Sequence, residues 1–512
     1  MGSHRHAWTT PNVLRIGVTQ VPYTLNPLLG TQTVENLLFG LAFDPLIAYD
    51  PQGNAVPRLA RTVPTVKNGG ISKDGLTITY HMRKNLRWQD GAPLTSRDVA
   101  YTYRQIMNPN NNVAVRTGYD VVNRVDTPDA YTVVFHLKRR FSPIVSDLFA
   151  QGVAPPGYVV PEHLLAKYAS LNRIDFNAQP IGSGPFKVVA WRRGDSIEYV
   201  ANPNYYLGKP KIARIIVRLI PDENSAVTAL QSHEIDVMYN VSPATYPRVQ
   251  ALQPAGITTL LAPLNRWNGL VVNTSRAPLS DVRVRQAIAY AVDKAALVHN
   301  VLHDTATVAT GDIPDFLWAY YSKVPRYGYN PQRARALLQS AGWSLARPLH
   351  VLLVFNEADG MHRGFAVQLQ SELAQIGIQA DLKGYPAEML YASYAAGGII
   401  DSGKFDLALE GVSNGADPDE GYQIRCTAIP PNGWNDPRYC NREMDAAQDA
   451  AVSTFDLTER KKAYARIETI LVHDAPYIYI AWTKAIHGVN SDLHGFSPSV
   501  TGATWNAYQW SI

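Results

Sequence analysis

Cysteine is nearly absent: the 512-residue chain holds two, Cys426 and Cys440. Neither sits in a C-x-x-C pair, so zinc-ribbon and thioredoxin-type redox readings lack support. The two lie close together in a Pro/Gly-rich loop, which fits one local disulfide and an oxidising compartment. Two unpaired thiols are the alternative. Long apolar runs are missing as well. No stretch approaches about eighteen consecutive apolar residues, the length of a transmembrane helix. The 47 basic against 43 acidic residues leave a formal net charge of +4, which excludes little by itself, but no Lys/Arg block is present that would suggest nucleic acid. No signal peptide is recognisable. Met1-Gly2-Ser3 followed by His4-Arg5-His6 reads as a cloning remnant joined to a mature N-terminus, and residues 1–12 are expected to be disordered or cloning-derived. A free amine at Gly2-Ser3-His4 could chelate copper or nickel, as an artefact of that remnant.

What is present is a chain that can build a large core. Hydrophobic residues make up 46%, which excludes disorder as the dominant state. The length allows about three to five domains of ordinary size. The chain carries 28 Tyr and 10 Trp, more than a core needs, and both suit amphipathic binding surfaces.

Strand and helix periods alternate along the chain, without tandem repeats. Residues 13–19 form an apolar strand candidate, followed by a helix through Val34, Leu37, Leu38 and Leu41. Residues 76–82 and 131–137 alternate as half-buried strands. Thr95 and Asp98 form a variant capping box for a helix with Val99, Tyr103 and Ile106. Strands are predicted at 186–189, 196–200 and 214–219, a short helix at 225–232, and a buried strand at Glu234–Val237. Residues 281–302 read as one long helix with Val284, Ile288, Ala291, Val292, Ala295, Val298 and Leu302 on a stripe. Residues 349–411 read as β-α-β-β: a strand at 350–355, a helix stopped by Gly377, a strand from Ile378, and another at Phe405–Leu409. A last amphipathic helix spans about 458–472. This pattern favours an α/β layer with ligands at strand ends.

Three motifs suggest chemistry and fail on context. Gly411-Val412-Ser413-Asn414-Gly415 matches G-x-S-x-G after a strand, but turn residues follow where a helix must start, and none of His473, His487 and His494 is selected as a base. A serine hydrolase using Ser413 is set aside on this ground. His299 and His303 are spaced for one helix face, but no H-E-x-x-H accompanies them, and a polar helix face explains them. Gly182-Ser183-Gly184 lacks the G-K-[ST] of a phosphate loop, and Pro185 offers no N–H, so a tight packing loop is expected. With no catalytic constellation left, the chain reads as a binding protein, not an enzyme, with no cofactor and no metal site.

Four blocks then align in order with a known family. Leu86-Arg87-Trp88-Gln89-Asp90-Gly91 and Leu94-Thr95-Ser96-Arg97-Asp98-Val99 form the first. Pro180–Phe186, Asn202-Pro203-Asn204-Tyr205-Tyr206 and Leu230–Asp236 form the second, with His233 where the family usually has Gly. Asp281-Val282-Arg283-Val284-Arg285-Gln286-Ala287 with Ala291-Val292-Asp293 is the third, and Tyr329-Asn330-Pro331 to Ala341-Gly342-Trp343 the fourth. Over about residues 13–512 the chain resembles the family 5 extracellular solute-binding proteins of ABC importers, which include dipeptide, oligopeptide and nickel receptors.

The resemblance implies a two-lobed α/β periplasmic-binding-protein fold, type II-like, with three domains and two hinge crossovers. One lobe would be built from 13–48, 178–268 and 484–512, with 49–177 an accessory domain upon it, and 269–483 would be the other lobe. Crossover strands would lie near Trp267–Val272 and Trp482–Gly488. It further implies a monomer in the periplasm or another extracytoplasmic location, with a lipid anchor left open, that captures its ligand by hinge closure and delivers it to an ABC permease. In peptide-binding members, an Asp in the loop after the Phe405–Gly411 strand pairs with the ligand ammonium, which points to Asp417, with Asp419 as fallback. Arg266 would clamp a carboxylate and Trp267 line a pocket at the cleft floor. Tyr23, Asn26 and Thr33 fall in the first-lobe loop, Trp434 would cap the pocket between the cysteines, and Gly415 and Ala416 would pair with an extended peptide backbone. The expected ligand is a short peptide; a metal chelate, opine or sugar derivative is the alternative.

Overall fold

The computed structural model describes residues 5–116, 118–152 and 156–512, so the expected chelating triplet Gly2-Ser3-His4 lies outside the described residues. The chain divides into two compact units. The first runs to Leu264 and includes Gly415–Asp417 and Ala485–Ile512; the second comprises Asn265–Asn414 and Pro418–Lys484.

In the first unit, β1 (Val13–Val18) buries Leu14, Ile16 and Val18. Helix α1 (Thr33–Ala42) starts at Gln32 with a capping box completed by Glu35. The Glu35 carboxylate is buried and accepts four backbone N–H groups, from Tyr23, Thr24, Thr31 and Gln32, so it stitches the preceding loop to the helix start. Strand β2 (Thr77–His81) leads to α2 (Ser96–Met107), whose Thr95–Asp98 capping box is formed in both directions as the spacing predicts. Strands β3 (Val122–Asp129) and β4 (Thr132–Leu137) make a small antiparallel sheet with β2, in the order β2-β4-β3. Then follow β5 (Phe186–Arg192), β6 (Ser196–Ala201), β7 (Arg214–Leu219), α3 (Glu223–Gln231) and β8 (Val237–Met238). Strand β6 pairs antiparallel with β5 and β7, and β1 lies parallel between β7 and β8.

The Gly182-Ser183-Gly184 loop is a packing loop. A Cβ at Gly182 would overlap the Ala42 carbonyl oxygen, and one at Gly184 would sit 2.6 Å from the Ala42 carbonyl carbon. The Gly182 N–H donates to Gln89 Oε1, Gly184 N–H to the Ala42 carbonyl, and Ser183 Oγ accepts from Asp44 N–H. Its backbone donors are thus already committed within the fold.

Two expectations for this unit change. The strand predicted at Glu234–Val237 starts three residues later and is two residues long, and beside it the buried Asp236 carboxylate accepts from Arg15 Nε and Nη2, both at 2.8 Å, and from the Asn490 amide. Residues 5–12 are ordered and tied down. Thr9 Oγ1 and His6 N–H both donate to Asp492, and Arg5 to the Ile512 carbonyl. Trp8 stacks on His233 at 3.7 Å between ring centres. His233 has φ +61, a left-handed conformation, which accounts for Gly at this place in the family pattern; here ring stacking supports a side chain instead.

Strand β9 (Ile257–Val272) carries the chain from the first unit into the second. There the predicted helix at 281–302 breaks into α4 (Val282–Ala291) and α5 (Lys294–Asn300). The apolar stripe continues, but Val292 is extended and Asp293 caps a new helix by accepting from Ala296 N–H. The Asp293 N–H donates to Glu372, so the break is hydrogen-bonded rather than frayed. Helix α6 (Pro331–Ser340) begins with Asn330 as N-cap and Pro331 in the first turn. Strand β10 (Leu349–Asn356), helix α7 (Gly360–Ala374) and strand β11 (Ile378–Tyr385) follow the predicted β-α-β, with Gly377 at φ +92 between α7 and β11. Strand β12 (Leu407–Ser413) starts two residues later than predicted and runs through the G-x-S-x-G segment. It is parallel to β10 and antiparallel to β9, with Arg266 opposite Ser413 and Val272 opposite Leu407. Short helix α8 (Gly421–Ile424) and long helix α9 (Leu457–Asp474) come next, α9 ending at Ala475 in a left-handed turn before Pro476. The last strand, β13 (Tyr477–Asn490), leaves the second unit after Lys484 and pairs antiparallel with β8.

Candidate ligand-binding site

The loop Asn414–Glu420 connects β12 to α8 and carries most of the candidate residues. Its ends are fixed within the second unit. Asn414 N–H donates to the Asn265 carbonyl, and the Asn414 side-chain amide donates to Glu420. Gln423 in turn donates to Asn414 Oδ1 at 3.2 Å. Along the loop Gly415 is exposed, Ala416 buried, and Asp417 and Asp419 half-buried. Asp419 accepts from Gly421 N–H at 3.0 Å and from Gln448 Nε2 at 2.7 Å.

Arg266 stands beside the start of this loop. Its Nη1 donates to Ser413 Oγ at 3.3 Å across the β9–β12 pair. Burial pulls the guanidinium below its ordinary range, and Asp359 opposes that effect. Ser413 thus faces an arginine, and no helix follows it until Gly421, so the nucleophile-elbow geometry is not formed.

Trp267, expected at the cleft floor, is placed in the second unit's core. It is 1% exposed and edge-on to Tyr477 and Tyr479, at 5.2 and 5.0 Å between ring centres. In an alternating strand, neighbouring residues point to opposite faces, so Trp267 faces away from Arg266. Trp434 is 58% exposed and packs edge-on to Tyr422, with its N–H donating to the Tyr422 carbonyl. Cys426 and Cys440 are joined in a disulfide around it.

The first-unit candidates sit in different settings. Tyr23 is 73% exposed on an open cavity of about 530 Å³ that also meets Asn112, Asn172, Arg173 and Arg193. Thr33 borders a cavity of about 140 Å³ with Gln20, Tyr239 and Asn240. Asn26 is fully buried; its amide donates to Asn177 Oδ1 and its Oδ1 accepts from Leu28 N–H, so it shapes the loop from within. His299 pairs with Asp304 at 3.0 Å, both exposed, and among the described residues no group of three His, Cys, Asp or Glu is arranged to hold a metal ion.

The sequence reading missed a set of buried carboxyls in the second unit: Asp312, Glu410, Glu420 and Glu468, none above 7% exposed. Burial raises all four above the ordinary carboxyl range, Asp312 to about 6. Two carried a signal. Glu410 interrupts an otherwise apolar strand, and Glu468 falls on the buried stripe Tyr464–Glu468–Leu471 of α9. Asp312 and Glu420 lie in loops, where no periodicity distinguishes them.

A family profile, Bacterial extracellular solute-binding proteins, family 5 Middle, matches residues 54–428. The chain belongs to this family, the solute-binding components of ABC importers. Family members are extracytoplasmic, and among the described residues no helix is long and apolar enough to cross a membrane. The chain is 25% identical over 523 residues to Di/tripeptide-binding protein 2 of Pseudomonas aeruginosa, covering 96% of this chain and 94% of that one. It is similar in structure to NikZ from Campylobacter jejuni in complex with Ni(L-His), with a TM-score of 0.80, 28% identity, and 98% and 100% of the two chains covered. It is similar as well to AgaA in complex with agropinic acid from A. tumefaciens R10, with a TM-score of 0.77, 25% identity, and 98% of each chain covered. These relatives are binding proteins, which points to a role other than catalysis.

Proposed function

We propose that this receptor captures a short peptide by hinge closure of two lobes and hands it to a membrane permease. The observation that carries this reading is that β12 ends at Ser413, opposite the cationic Arg266, and that the acidic stretch Asp417–Pro418–Asp419 follows within a few residues of the chain, supplying both charge types a zwitterion needs. Asp417 takes the ligand ammonium, with Asp419 as the alternative, and Arg266 takes a carboxylate. Gly415 and Ala416 offer main-chain groups to an extended backbone, and Trp434, Tyr23 and Thr33 supply tolerant surface. Trp267 and Asn26, both buried, pack within their own units. The similarity to a di/tripeptide-binding protein over 96% of the chain favours the peptide.

The proposed lobes are 13–48, 178–268 and 484–512 for one, with 49–177 as its accessory domain, and 269–483 for the other. Two passages of the chain between units, at Leu264–Asn265 and Lys484–Ala485, fall inside β9 and β13, which supports a two-strand hinge. Closure requires a ligand that binds the closed state better than the open one.

A second reading is a metal–amino acid chelate or an opine, favoured by the 28% identity to the Ni(L-His)-bound NikZ. Native mass spectrometry of gently purified protein separates the two. Heterogeneous di- to pentapeptide masses support the peptide; a single non-peptide mass sinks it.

A further inference from the structure

The segment Gly411-Val412-Ser413 matches part of a nucleophile pattern but forms no nucleophile, and it lies in β12 opposite β9. The register sets Asn268 against Gly411, Trp267 against Val412 and Arg266 against Ser413. Side chains alternate along both strands, so Arg266, Asn268, Gly411 and Ser413 share one face of the sheet. Trp267 and Val412 point to the other face, into the core of the second unit.

On the shared face, the room left by Gly411 is taken by its neighbours. A Cβ at 411 would lie 2.1 Å from Asn268 Oδ1 and 2.6 Å from Arg266 Nη2, well inside the contact distance of about 3.5–4.0 Å. The Gly411 backbone is not in the left-handed region, so its conformation does not call for glycine. A glycine inside a strand weakens it and often marks the close approach of another group. Here that group is the guanidinium of Arg266.

Two further contacts fix the guanidinium. Its Nη1 donates to Ser413 Oγ at 3.3 Å, on the strand that carries Gly411. Asn268 is 0% exposed, and its Nδ2 donates to Thr483 Oγ1 of β13 at 3.1 Å. That bond turns Oδ1 to the space above Gly411, where it has no hydrogen-bond partner. The negative end of a buried amide dipole and the cationic Nη2 thus flank the same point. The bond to Ser413 engages one N–H of a five-donor fork, which retains donors for a bidentate partner.

We propose that Gly411, Ser413 and Asn268 form a cradle for the Arg266 guanidinium, with Gly411 as the positioning residue that sets its selectivity for a free carboxylate. The pattern residues Gly411 and Ser413 then have a role in binding: one makes room for the cation and the other accepts from it. A Cβ at 411 pushes the guanidinium off Ser413 while the strand keeps its backbone. The cradle stands on its own geometry; the carboxylate selectivity rests on Arg266 as a ligand residue, as proposed above.

The test uses the full chain, with trialanine and trialanine amide as probes in calorimetry. Gly411→Ala is expected to weaken trialanine about fivefold or more and to leave the amide within about twofold. Ser413→Ala adds no bulk and stays readable if Gly411→Ala folds poorly; it is expected to show the same selectivity with a smaller loss. In an Arg266→Met background, Gly411→Ala is expected to cause no further loss, since the two changes act on one group. Equal losses for both peptides, or an undiminished loss on top of Arg266→Met, overturn the selectivity. A crystal structure of Gly411→Ala reads the cradle directly. The guanidinium is expected to move by about 1 Å or more and to release Ser413. A guanidinium that stays in place overturns the cradle. This structural arm needs no ligand, so a wild-type chain that ignores trialanine defeats the peptide reading while the crystal structure still decides the cradle.

Discussion

The side-chain amide of Asn414 donates to the carboxyl of Glu420, and this one hydrogen bond closes the loop on which Asp417 and Asp419 sit. Both partners are nine-tenths buried or more, so the loop's shape is set by the interior of the second unit. An acidic loop held in this way keeps its geometry before a ligand arrives, which lowers the ordering cost of binding.

Asp417 is the sharpest test of the ligand reading. Asp417→Asn keeps the size and removes the charge, and is expected to weaken binding of a free-amine tripeptide tenfold or more, about 1.4 kcal/mol by calorimetry. An N-acetylated tripeptide is expected to lose far less. Equal affinities before and after the change take Asp417 out of the site.

Arg266 makes the complementary prediction. Arg266→Met is expected to lower the affinity for a tripeptide with a free carboxylate by about tenfold or more, about 1.4 kcal/mol. The C-terminally amidated peptide serves as the control and is expected to change little. If both peptides weaken alike, Arg266 serves packing alone.

Asp236 anchors β1 from a fully buried position, accepting from Arg15 and Asn490. Removing one partner of a buried pair leaves an uncompensated charge, at a cost of about 3–5 kcal/mol. Asp236→Ala is therefore expected to shift the urea midpoint of the first unit strongly downward. A surface-like effect below about 1 kcal/mol contradicts the assignment.

The two units are expected to respond to acid in opposite directions. His487, fully buried in the first unit, is pushed down to about 3 by burial. Below its unfolded value of about 6.5, only the unfolded chain takes the proton, so its stabilising effect is lost as pH falls toward 3. Between pH 7 and pH 5 this costs the first unit about 2 kcal/mol. Asp312, Glu420 and Glu468 in the second unit are raised by burial, so their stabilising effect is present at low pH and fades as pH climbs from about 4 through about 6 and beyond. Unit-resolved hydrogen exchange at pH 5 and pH 7 checks the sign; parallel changes in both units contradict it.

The Cys426–Cys440 disulfide encloses fourteen residues' separation, including Trp434. Closing a loop of about 15 residues is worth about 3 kcal/mol through the unfolded chain. Reduction, or Cys440→Ser, is expected to lower the unfolding midpoint accordingly and to loosen the Trp434 loop first, read by tryptophan fluorescence.

Much of this molecule was legible in its sequence. Periodicity located β1, α1, β10, α7 and β11, and turn chemistry located the Thr95–Asp98 cap, because these depend on residues within a few positions of each other. The helix break at Val292–Asp293 was not legible, since the apolar stripe runs across it and the deciding partner, Glu372, is about eighty positions away. The anchoring role of Asp236 is of the same kind: its carboxylate answers to Arg15 and Asn490, which lie far off in the chain.

The sequence by itself determined the family and the alternation of strands and helices, and it pointed to a disulfide between its two cysteines, because each rests on residue type and short spacing. Only the tertiary structure decided that Trp267 and Asn26 are buried and Arg266 half-buried, since burial depends on what covers a strand or loop. It alone buried Asp312, Glu420 and Glu468, in an interior that no single stretch of chain contains, whose low polarity disfavours their charged forms.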